Sequence, residues 1–490
     1  MTTGNPGTAD RPAPSRSASG LDRFFHITER GSSVGTEVRA GVVTFFAMAY
    51  IVLLNPLIIG TSADRDGVVL GVPQVAAVTA LAAGVMCIAF GVFAKYPFGI
   101  ATGLGLNTLV AVTLVGQQGL TWPEAMGLVV IDGIIICILA VTGFRTAVFN
   151  AIPSSMKVAM SVGIGMFIAM IGLVDAGFVR RVPDAAMTTV PVQLGFAGSI
   201  ASWPTFVFVV GLIICGFMVA RNVPGGLFIG IVATTVIALI VEALTSSGAS
   251  ADDPHGWSLA VPQLPESLGG VPDLSLVGRV DLFGAFLNAG VLAASLMVFT
   301  LVLANFFDAM GTMTALGRQA GLTDDNGNLP DMKRALVVEG FGAVAGGFAS
   351  ASSNTVYVDS SAGIADGART GLANVVTGVL FLAAMFFTPL YEIVPIEAAA
   401  PVLVVVGALM MMQVGSVEWS QFHVALPAFL TIVVMPFTYS IANGIGVGFI
   451  AFTVMAVFAG KAKDIHWIMW LISALFIVYF AQGPLLAALS

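Results

Sequence analysis

Two acidic residues lie in stretches of sequence that are otherwise apolar enough to sit inside a membrane. Asp308 occurs in the run FTLVLANFFDAMGT, and Asp359 follows the extended-type sequence NTVYV and precedes a segment of small residues. A carboxylate near the centre of a bilayer costs roughly 2.5 to 3.5 kcal/mol on insertion scales, so its presence indicates a function. Two such carboxylates, one of them beside a broken segment, are typical of the binding centre of a secondary transporter.

Each of the two aspartates also has a structural alternative. Asp308 follows Asn305 by three positions and shares a helix face with it, so Asp308 could instead make a polar contact with a neighbouring helix. Asp359 precedes Ser360 at the predicted start of a short helix, whose N–H groups can donate to a ligand. The alternative for Asp359 is a helix N-cap without a ligand.

If the transporter couples to protons, the side chain that binds the proton within the predicted spans has to be a carboxylate. The four histidines all fall in predicted tails or loops: His26, His255, His423 and His466. Burial of Asp308 makes it the first candidate for proton coupling. Glu339, well inside the run ALVVEGFGAV, is the second, and it either relays a proton or pairs with another span. For Asp132 we expect a structural hydrogen bond.

The composition is that of a polytopic membrane protein. The chain has 490 residues, of which 57% are hydrophobic and only 9% charged, and its mean hydropathy is +0.97. A soluble globular protein carries about 25% charged residues. The net charge of -8 disfavours a nucleic-acid partner. The three cysteines occur in different apolar runs without CxxC spacing, so we expect buried small side chains rather than metal ligands or disulfides.

The sequence carries no signature of an enzyme or of an ATP-driven pump. It has no metal-ligand cluster, no P-loop, no GxSxG motif and no loop large enough for a nucleotide-binding domain. We therefore expect neither catalytic residues nor a cofactor nor a metal. A passive channel would need continuous polar faces along a pore, whereas the polar residues here form two local clusters.

Apolar runs of about 17 to 25 residues predict the membrane spans. Seven precede a polar loop at about 246–285, at 39–60, 73–95, 98–116, 123–144, 154–175, 203–221 and 224–245. Seven more follow it, at 287–314, 333–350, 356–367, 371–391, 398–414, 424–441 and 444–460. A further apolar run, 465–487, either crosses once more or lies along the surface.

Two groups of seven spans indicate an internal duplication in which the second half is inverted. The third span of each half is the one most interrupted by glycine and small polar residues. Each of these spans has an asparagine, Asn107 or Asn354, where an ordinary spanning helix would have leucine. Interrupted segments at corresponding positions of two repeats are the best sequence indicator of a transporter's binding site.

The distribution of basic residues predicts that the N-terminus is cytoplasmic. Residues 1–38 have no apolar signal sequence and are rich in Gly, Pro, Ser and charge, so we expect a partly disordered cytoplasmic tail. Of the 19 Lys and Arg residues, only four fall in predicted outside loops: Arg65, Arg180, Arg181 and Arg279. This bias follows the positive-inside rule.

Ordered motifs along the chain resemble one transporter family. TFFAMAYIVLLNP (44–56), GLGLN (103–107), FFDAMGT (306–312), AGLTDDNGNLPDMKRAL (320–336) and SSNTVYVDSSAGIADGARTGL (352–372) carry the resemblance. They resemble the AzgA-like adenine/guanine/hypoxanthine permeases, a branch of the nucleobase–cation symporters that shares the uracil/xanthine permease fold. The resemblance runs from about Leu21 to Gln482.

The resemblance implies an all-α polytopic membrane protein with a 7+7 inverted-repeat transporter fold. Spans 3 and 10 of that fold are broken by short strands that meet in mid-membrane. Spans 1–4 and 8–11, at 39–145 and 280–391, would form a core domain. Spans 5–7 and 12–14, at 146–245 and 392–461, would form a gate domain. The remaining segments are an extracellular loop at 246–279 and the C-terminal apolar segment 462–490.

The resemblance also places Asp308 at the acidic position of span 8 and Asp359 at that of span 10. Many relatives have Glu at the second position, as in YxES, and many have Asp where this chain has Asn305. A planar base offers ring N–H and amino groups to carboxylates, and asparagines can both donate and accept. The predicted substrate-binding residues are Asp308, Asp359, Asn107, Asn354, Thr355, Ser360 and Phe307.

The sequence thus predicts a plasma-membrane secondary transporter that takes up adenine, guanine or hypoxanthine with protons by alternating access. The alternative is another substrate on the same fold, such as uracil, xanthine or an inorganic anion. An anion carrier should have a basic residue at the central site, and spans 3, 8 and 10 have none before Arg369. The expected partners are the purine base, the proton and the lipid bilayer, and the oligomeric state stays open, with a homodimer as one alternative.

Overall fold

The computed structural model describes most of the chain. The described residues are 20–144, 151–181, 192–196, 198–250, 252–258, 261–264, 267, 269–323 and 329–489. Within these ranges, the structure describes only the backbone at residues 307, 308, 310, 311, 314, 315, 388, 389, 391, 392 and 482–489.

The described chain is mainly helical, and its helices occupy the predicted spans, whose numbers they keep. Spans 1 to 7 are Val34–Ile59, Val72–Ala94, Leu104–Gln117, Trp122–Thr142, Ser154–Asp175, Trp203–Ala220 and Gly226–Thr245. Spans 8 to 14 are Val291–Gln319, Met332–Phe348, Ser360–Ala365, Gly371–Ala384, Ile396–Met411, Phe422–Phe437 and Ile441–Phe458. Eight of the described helices have at least 18 residues and are apolar enough to cross a membrane.

Spans 3 and 10 are each preceded by a strand. Ile100–Thr102 precedes the span 3 helix, and Asn354–Val356 precedes the span 10 helix. The sequence predicts an extended segment at NTVYV, residues 354–358, and the strand occupies the first three of these residues. The polar residue Asn354 joins the strand through backbone pairing, although its side chain does not favour strands.

The N-terminal region is more ordered than its composition indicates. Residues 1–19 of the predicted tail lie outside the described part of the chain, but Gly20–Phe25 form a helix and span 1 begins already at Val34. The side chain of Ser33 accepts a hydrogen bond from the N–H of Thr36 (3.2 Å) and caps this helix. Arg30 donates to the carbonyl oxygens of Lys95 and Arg369, which ties the segment to the ends of other spans.

The packing of the spans repeats itself between the two halves of the chain. Span 4 packs against span 9, and span 11 packs against span 2. Span 6 packs against spans 7 and 12 in the same way that span 13 packs against spans 14 and 5, while span 5 packs directly against span 12. Each span of the first half corresponds to the span seven numbers later in the second half. The contacts named here therefore recur between the corresponding spans. This pattern confirms the inverted repeat.

The short helix of span 10 is held tightly against span 1. A Cβ atom at Gly363 would overlap Oγ1 of Thr44 and would lie 2.7 Å from the carbonyl oxygen of Ala40. Gly216 in span 6 shows no such conflict, since none of the described atoms lies within 4 Å of a Cβ added there. Glycine therefore sets the distance between spans 1 and 10.

Gly363→Ala is expected to lower the melting temperature of the purified protein by at least about 2 °C, because overpacking costs roughly 1 to 3 kcal/mol. Differential scanning fluorimetry in detergent measures it. Gly216→Ala is the matched control and should melt like the unmodified protein. Equal melting temperatures of the two variants would contradict this close packing.

The last apolar run forms a helix, Trp467–Leu489, that lies beside span 14. Its Phe476 is fully buried between Phe299 of span 8 and Phe449 of span 14, with ring centroids 5.4 Å and 6.2 Å away. Its Ser473 donates to the carbonyl oxygen of Phe449 (3.1 Å). This helix therefore contacts the first and the last span of the second half of the chain.

Candidate functional site

The two interrupted spans meet through their strands. Ile100–Thr102 pairs antiparallel with Asn354–Val356, with Ala101 opposite Thr355 at the centre. All six residues are buried. Backbone bonds from Gly103 to Ser353 (3.0 Å) and from Tyr357 to Gly99 (2.9 Å) extend the pairing at both ends. The predicted meeting of two short strands is confirmed.

Two side chains fasten the ends of these strands. Ser360 Oγ accepts a hydrogen bond from the N–H of Gly99 (2.9 Å), and Tyr357 Oη donates to the carbonyl oxygen of Thr102 (2.5 Å). Ser360 is fully buried, so in this conformation its hydroxyl holds the strand of span 3. Direct contact between Ser360 and a substrate stays a prediction.

Asp359 stands where the strand of span 10 turns into its helix. Its Oδ2 accepts a hydrogen bond from Tyr50 Oη in span 1, at 3.1 Å. Asp359 occupies the N-cap position, but its side chain does not cap the helix. The first N–H groups of the helix, from Ser360 to Ala362, already bond to carbonyl oxygens of the preceding turn, so the expected donors there are occupied. The carboxylate itself is the group this segment presents.

A cavity of about 190 Å³ lies beside Asp359, and two groups of spans form its walls. One wall comes from spans 1, 3, 8 and 10, and it includes Tyr50, Gly103–Leu106, Ala304, Thr312 and Thr355–Asp359. The other comes from spans 5, 12 and 14, and it includes Ser161, Ile164, Ile168, Val406, Leu409, Met410, Gln413 and Ile441. Mostly apolar walls with a few polar groups are typical of a small-molecule site.

The first turn of the span 3 helix supplies backbone donors to this cavity. Leu104, Gly105 and Leu106 line it, and within the described part of the chain no acceptor is bonded to their N–H groups. The first N–H groups of a helix lack partners within the helix and favour an acceptor or a negative charge. These donors were not predicted from the sequence, although the glycines of GLGLN indicate a close approach of the backbone.

The two predicted asparagines do not occupy equivalent positions. Asn354 lies in a strand, whereas Asn107 lies in the helix after a strand and donates to Thr102 Oγ1 (3.2 Å). Both are fully buried, and neither lines the cavity. Among the described residues, Asn107 Oδ1 and both amide atoms of Asn354 have no hydrogen-bond partner. Thr355 does line the cavity, and its hydroxyl also has no partner in the described part.

The acidic position of span 8 can be placed by its backbone. The side chains of Phe307 and Asp308 lie outside the described residues. Ala304 and Thr312, four residues before and after position 308, both line the cavity. Because residues four apart lie on one helix face, the stripe of span 8 that faces the cavity passes through position 308. Glu339 of span 9 is fully buried and does not line the cavity.

A buried polar contact next to the cavity joins three spans. Asn305 of span 8 donates to Asp132 Oδ2 of span 4 (3.0 Å) and to Ser353 Oγ before the strand of span 10 (3.1 Å). Asp132 therefore makes the structural hydrogen bond that its sequence context predicted. Asn305, one turn before position 308, is thereby fixed relative to the strand.

Comparison with known proteins identifies the family of this architecture. A sequence model of the family described as Permease family matches residues 35–447. The guanine/hypoxanthine permease PbuG of Bacillus subtilis (strain 168) is 37% identical over 469 residues, covering 94% of this chain and 99% of the relative. The adenine permease AdeQ of Escherichia coli (strain K12) is 36% identical over 457 residues, covering 93% of this chain and 95% of the relative.

Solved structures agree on the fold at low sequence identity. The transmembrane domain of the cyanobacterial bicarbonate transporter BicA has a TM-score of 0.57 at 14% identity, over 84% of this chain and 97% of that domain. The inward-facing structure of murine Solute Carrier 26 family member A9, an anion transporter, has a TM-score of 0.59 at 11% identity, over 92% of this chain and 73% of the other. The chain is a multi-pass membrane protein that belongs to the Permease family and, within it, to the AzgA-like nucleobase permeases that its motifs resemble.

Proposed function

We propose that this protein takes up purine nucleobases, namely adenine, guanine or hypoxanthine, together with protons. The names of its relatives support the substrate class. The observation that carries the proposal is that Asp359 lines a cavity between the proposed core and gate, together with backbone N–H groups of span 3 that have no acceptor in the described part of the chain. The site thereby offers both acceptors and donors to the edge of a flat, polar heterocycle.

Each kind of group in the cavity matches a feature of a purine. Asp359 accepts from ring N–H or amino groups, and the N–H groups of Leu104, Gly105 and Leu106 donate to ring nitrogen or carbonyl oxygen. The rings of Tyr50 and Tyr357 lie side by side, with centroids 6.3 Å apart, and add aromatic surface near the carboxylate. The apolar wall from spans 5 and 12 can cover the faces of the base.

The packing supports a division into a core and a gate. Spans 1–4 and 8–11, within 39–145 and 280–391, contact mainly one another, as do spans 5–7 and 12–14, within 146–245 and 392–461. The cavity and the few contacts between spans 3 and 5 lie at the boundary between the two groups. Movement of one group against the other would open the cavity alternately to either side, as in other inverted-repeat transporters.

With the N-terminus in the cytoplasm, the structure corresponds to an inward-facing state. On the outer side, Gln117 Nε2 at the end of span 3 donates to the carbonyl oxygen of Tyr439, between spans 13 and 14, at 3.2 Å. The ring of Tyr439 packs edge-on against Phe167 of span 5, with centroids 5.3 Å apart. Gln413, at the inner end of span 12, instead lines the cavity. The outer side is closed by these contacts.

An inorganic anion is less well matched to this site. Two structural neighbours transport anions, but at 11% and 14% identity they support the fold alone. None of the described residues that line the cavity is Lys or Arg. A carboxylate at the cavity wall would repel an anion, because like charges in a poorly solvated site interact strongly.

Uptake measurements test the substrate class. Cells that lack their own purine permeases and express this protein should accumulate labelled adenine, guanine or hypoxanthine above a vector control. Unlabelled purines should compete, whereas uracil should not. Competition by uracil but not by any purine would overturn the purine assignment and favour the alternative substrate on the same fold.

The proposed orientation predicts opposite accessibility for two pairs of basic residues. Cysteines placed at Arg180 or Arg181, in the hairpin after span 5, should react in intact cells with a membrane-impermeant reagent, because this hairpin faces outward. Cysteines at Lys333 or Arg334, at the start of span 9, should react only after permeabilisation. Labelling at 333 but not at 180 in intact cells would contradict the topology.

A further inference from the structure

The outer end of the proposed gate contains a second pair of carboxylates, away from the substrate cavity. Spans 5 and 12 run antiparallel at close range. A Cβ atom at Gly165 would lie 2.9 Å from the carbonyl oxygen of Gly407, and one at Gly172 would lie 2.8 Å from that of Ala400. These two contacts fix the register, and the same register places Asp175 at the end of span 5 opposite Glu397 at the start of span 12.

Glu397 is buried without the partners that a carboxylate needs. Its exposed fraction is 0%, and its Oε1 accepts one hydrogen bond from the N–H of Ser258 in the outer loop (2.8 Å). Within the described chain, Oε2 has no hydrogen-bond partner. The guanidinium of Arg180 attracts Glu397 but does not form an ion pair with it within the described residues, since its own bonds go to Gly177 and Pro254 carbonyl oxygens.

The carboxylate of Asp175 further raises the free-energy cost of keeping Glu397 ionised. The two carboxylates are close enough to repel each other, and Asp175 makes no hydrogen bond in the described part. Burying an ionised carboxylate without compensation costs far more free energy than burying a neutral acid. Two carboxylates that share a poorly solvated site relieve this cost when one of them binds a proton.

The pair is connected to the contact that closes the outer side. Asp175 also interacts electrostatically with Tyr439. The carbonyl oxygen of the same Tyr439 accepts from Gln117, which joins the gate to the core. Among the described residues, the titratable and charged groups that face the pair are Arg180 from the hairpin after span 5 and Tyr439 from the break between spans 13 and 14.

We propose that Asp175 and Glu397 form a second proton site, which binds one proton while the outer side of the transporter is closed. The inference rests on the alternating access proposed above, but not on the identity of the substrate. Opening the outer side brings water to this end of the gate and releases the proton outward. Low external pH therefore favours the outer-closed state even without substrate.

Cysteine accessibility in substrate-free cells tests this proton site. Thr113 of span 3 is buried on the outer side near Ala442 of span 14 and reports on opening. Both cysteines are introduced separately into a variant whose three native cysteines are replaced by alanine. The quantity measured is a ratio: the rate at which an impermeant thiol reagent labels Thr113→Cys, divided by the rate at which it labels Leu264→Cys. Leu264 is 82% exposed in the outer loop, so this ratio corrects for the pH dependence of thiol reactivity.

The ratio should fall at least threefold when the external pH is lowered from 8 to 5. In Glu397→Gln, which mimics the protonated acid, it should be low at both pH values, and Asp175→Asn should also remove the dependence. Glu242→Gln is the matched control and should keep it, because both oxygens of this other outer carboxylate already accept bonds from Trp257, Ser247 and Gly248.

Two outcomes would overturn the proposal: a ratio that ignores pH in the parent variant, or an unchanged dependence in both Glu397→Gln and Asp175→Asn. Neither would affect the purine assignment, because no substrate is present. Conversely, pH-dependent labelling together with failure of purine uptake would remove the proposed substrate and leave the second proton site standing.

Discussion

Asp359→Asn is expected to reduce purine uptake at least 100-fold while the protein stays in the membrane at normal abundance. A hydrogen bond to a charged group contributes about 1.5 to 3 kcal/mol, so two bonds from a base to this carboxylate contribute about 3 kcal/mol or more. Each 1.4 kcal/mol is a factor of ten in affinity. Asparagine keeps the size of the side chain but replaces one acceptor oxygen by a donor, which would face the N–H groups of the base.

Tyr50→Phe tests how much the hydrogen bond that positions Asp359 contributes to uptake, while the charge of Asp359 is kept. The phenol contributes one hydrogen bond to Oδ2 of Asp359 and leaves the carboxylate able to bind substrate. Its loss should therefore weaken uptake by about tenfold, less than the loss of the carboxylate. Initial rates over a range of purine concentrations, with immunoblots of membrane fractions, measure both variants. Saturable uptake of normal affinity by Asp359→Asn would remove this carboxylate from the site.

The predictable part of the fold is the part that depends on local composition. Long apolar runs gave the helices within a few residues, because a span needs a fixed length of apolar sequence. The strands of spans 3 and 10 have only three residues each, too few for an alternating pattern to be recognised. The resemblance to a family, rather than periodicity, predicted that they meet.

The direction of individual side chains was the least predictable feature of the site. Asn107 and Asn354 share a residue type and a place in corresponding spans, yet one lies in a helix and the other in a strand, and neither lines the cavity. The donors at Leu104 to Leu106 are backbone N–H groups, so the residue types at these positions do not predict them. The contact of Asn305 with Asp132 and Ser353 joins residues far apart in the chain, and only tertiary structure brings them together.

Asp308→Asn is expected to abolish uphill accumulation of purine while exchange of internal for external purine continues. The stripe of span 8 that faces the cavity passes through position 308, and asparagine there mimics a protonated acid that can no longer release its proton. Without a coupled charge, a potential of 100 mV no longer contributes its roughly 2.3 kcal/mol. The accumulation ratio should then fall about 50-fold toward unity.

Three comparisons decide whether the proton is the coupled ion. A protonophore should collapse accumulation by the unmodified protein but leave the residual exchange by Asp308→Asn unaffected. Replacing sodium by another cation should change neither. Glu339→Gln tests the second candidate: if this variant loses accumulation and Asp308→Asn keeps it, the buried acid of span 9 is the carrier. Uptake that required sodium and ignored the protonophore would refute proton coupling, while the purine site around Asp359 would stand.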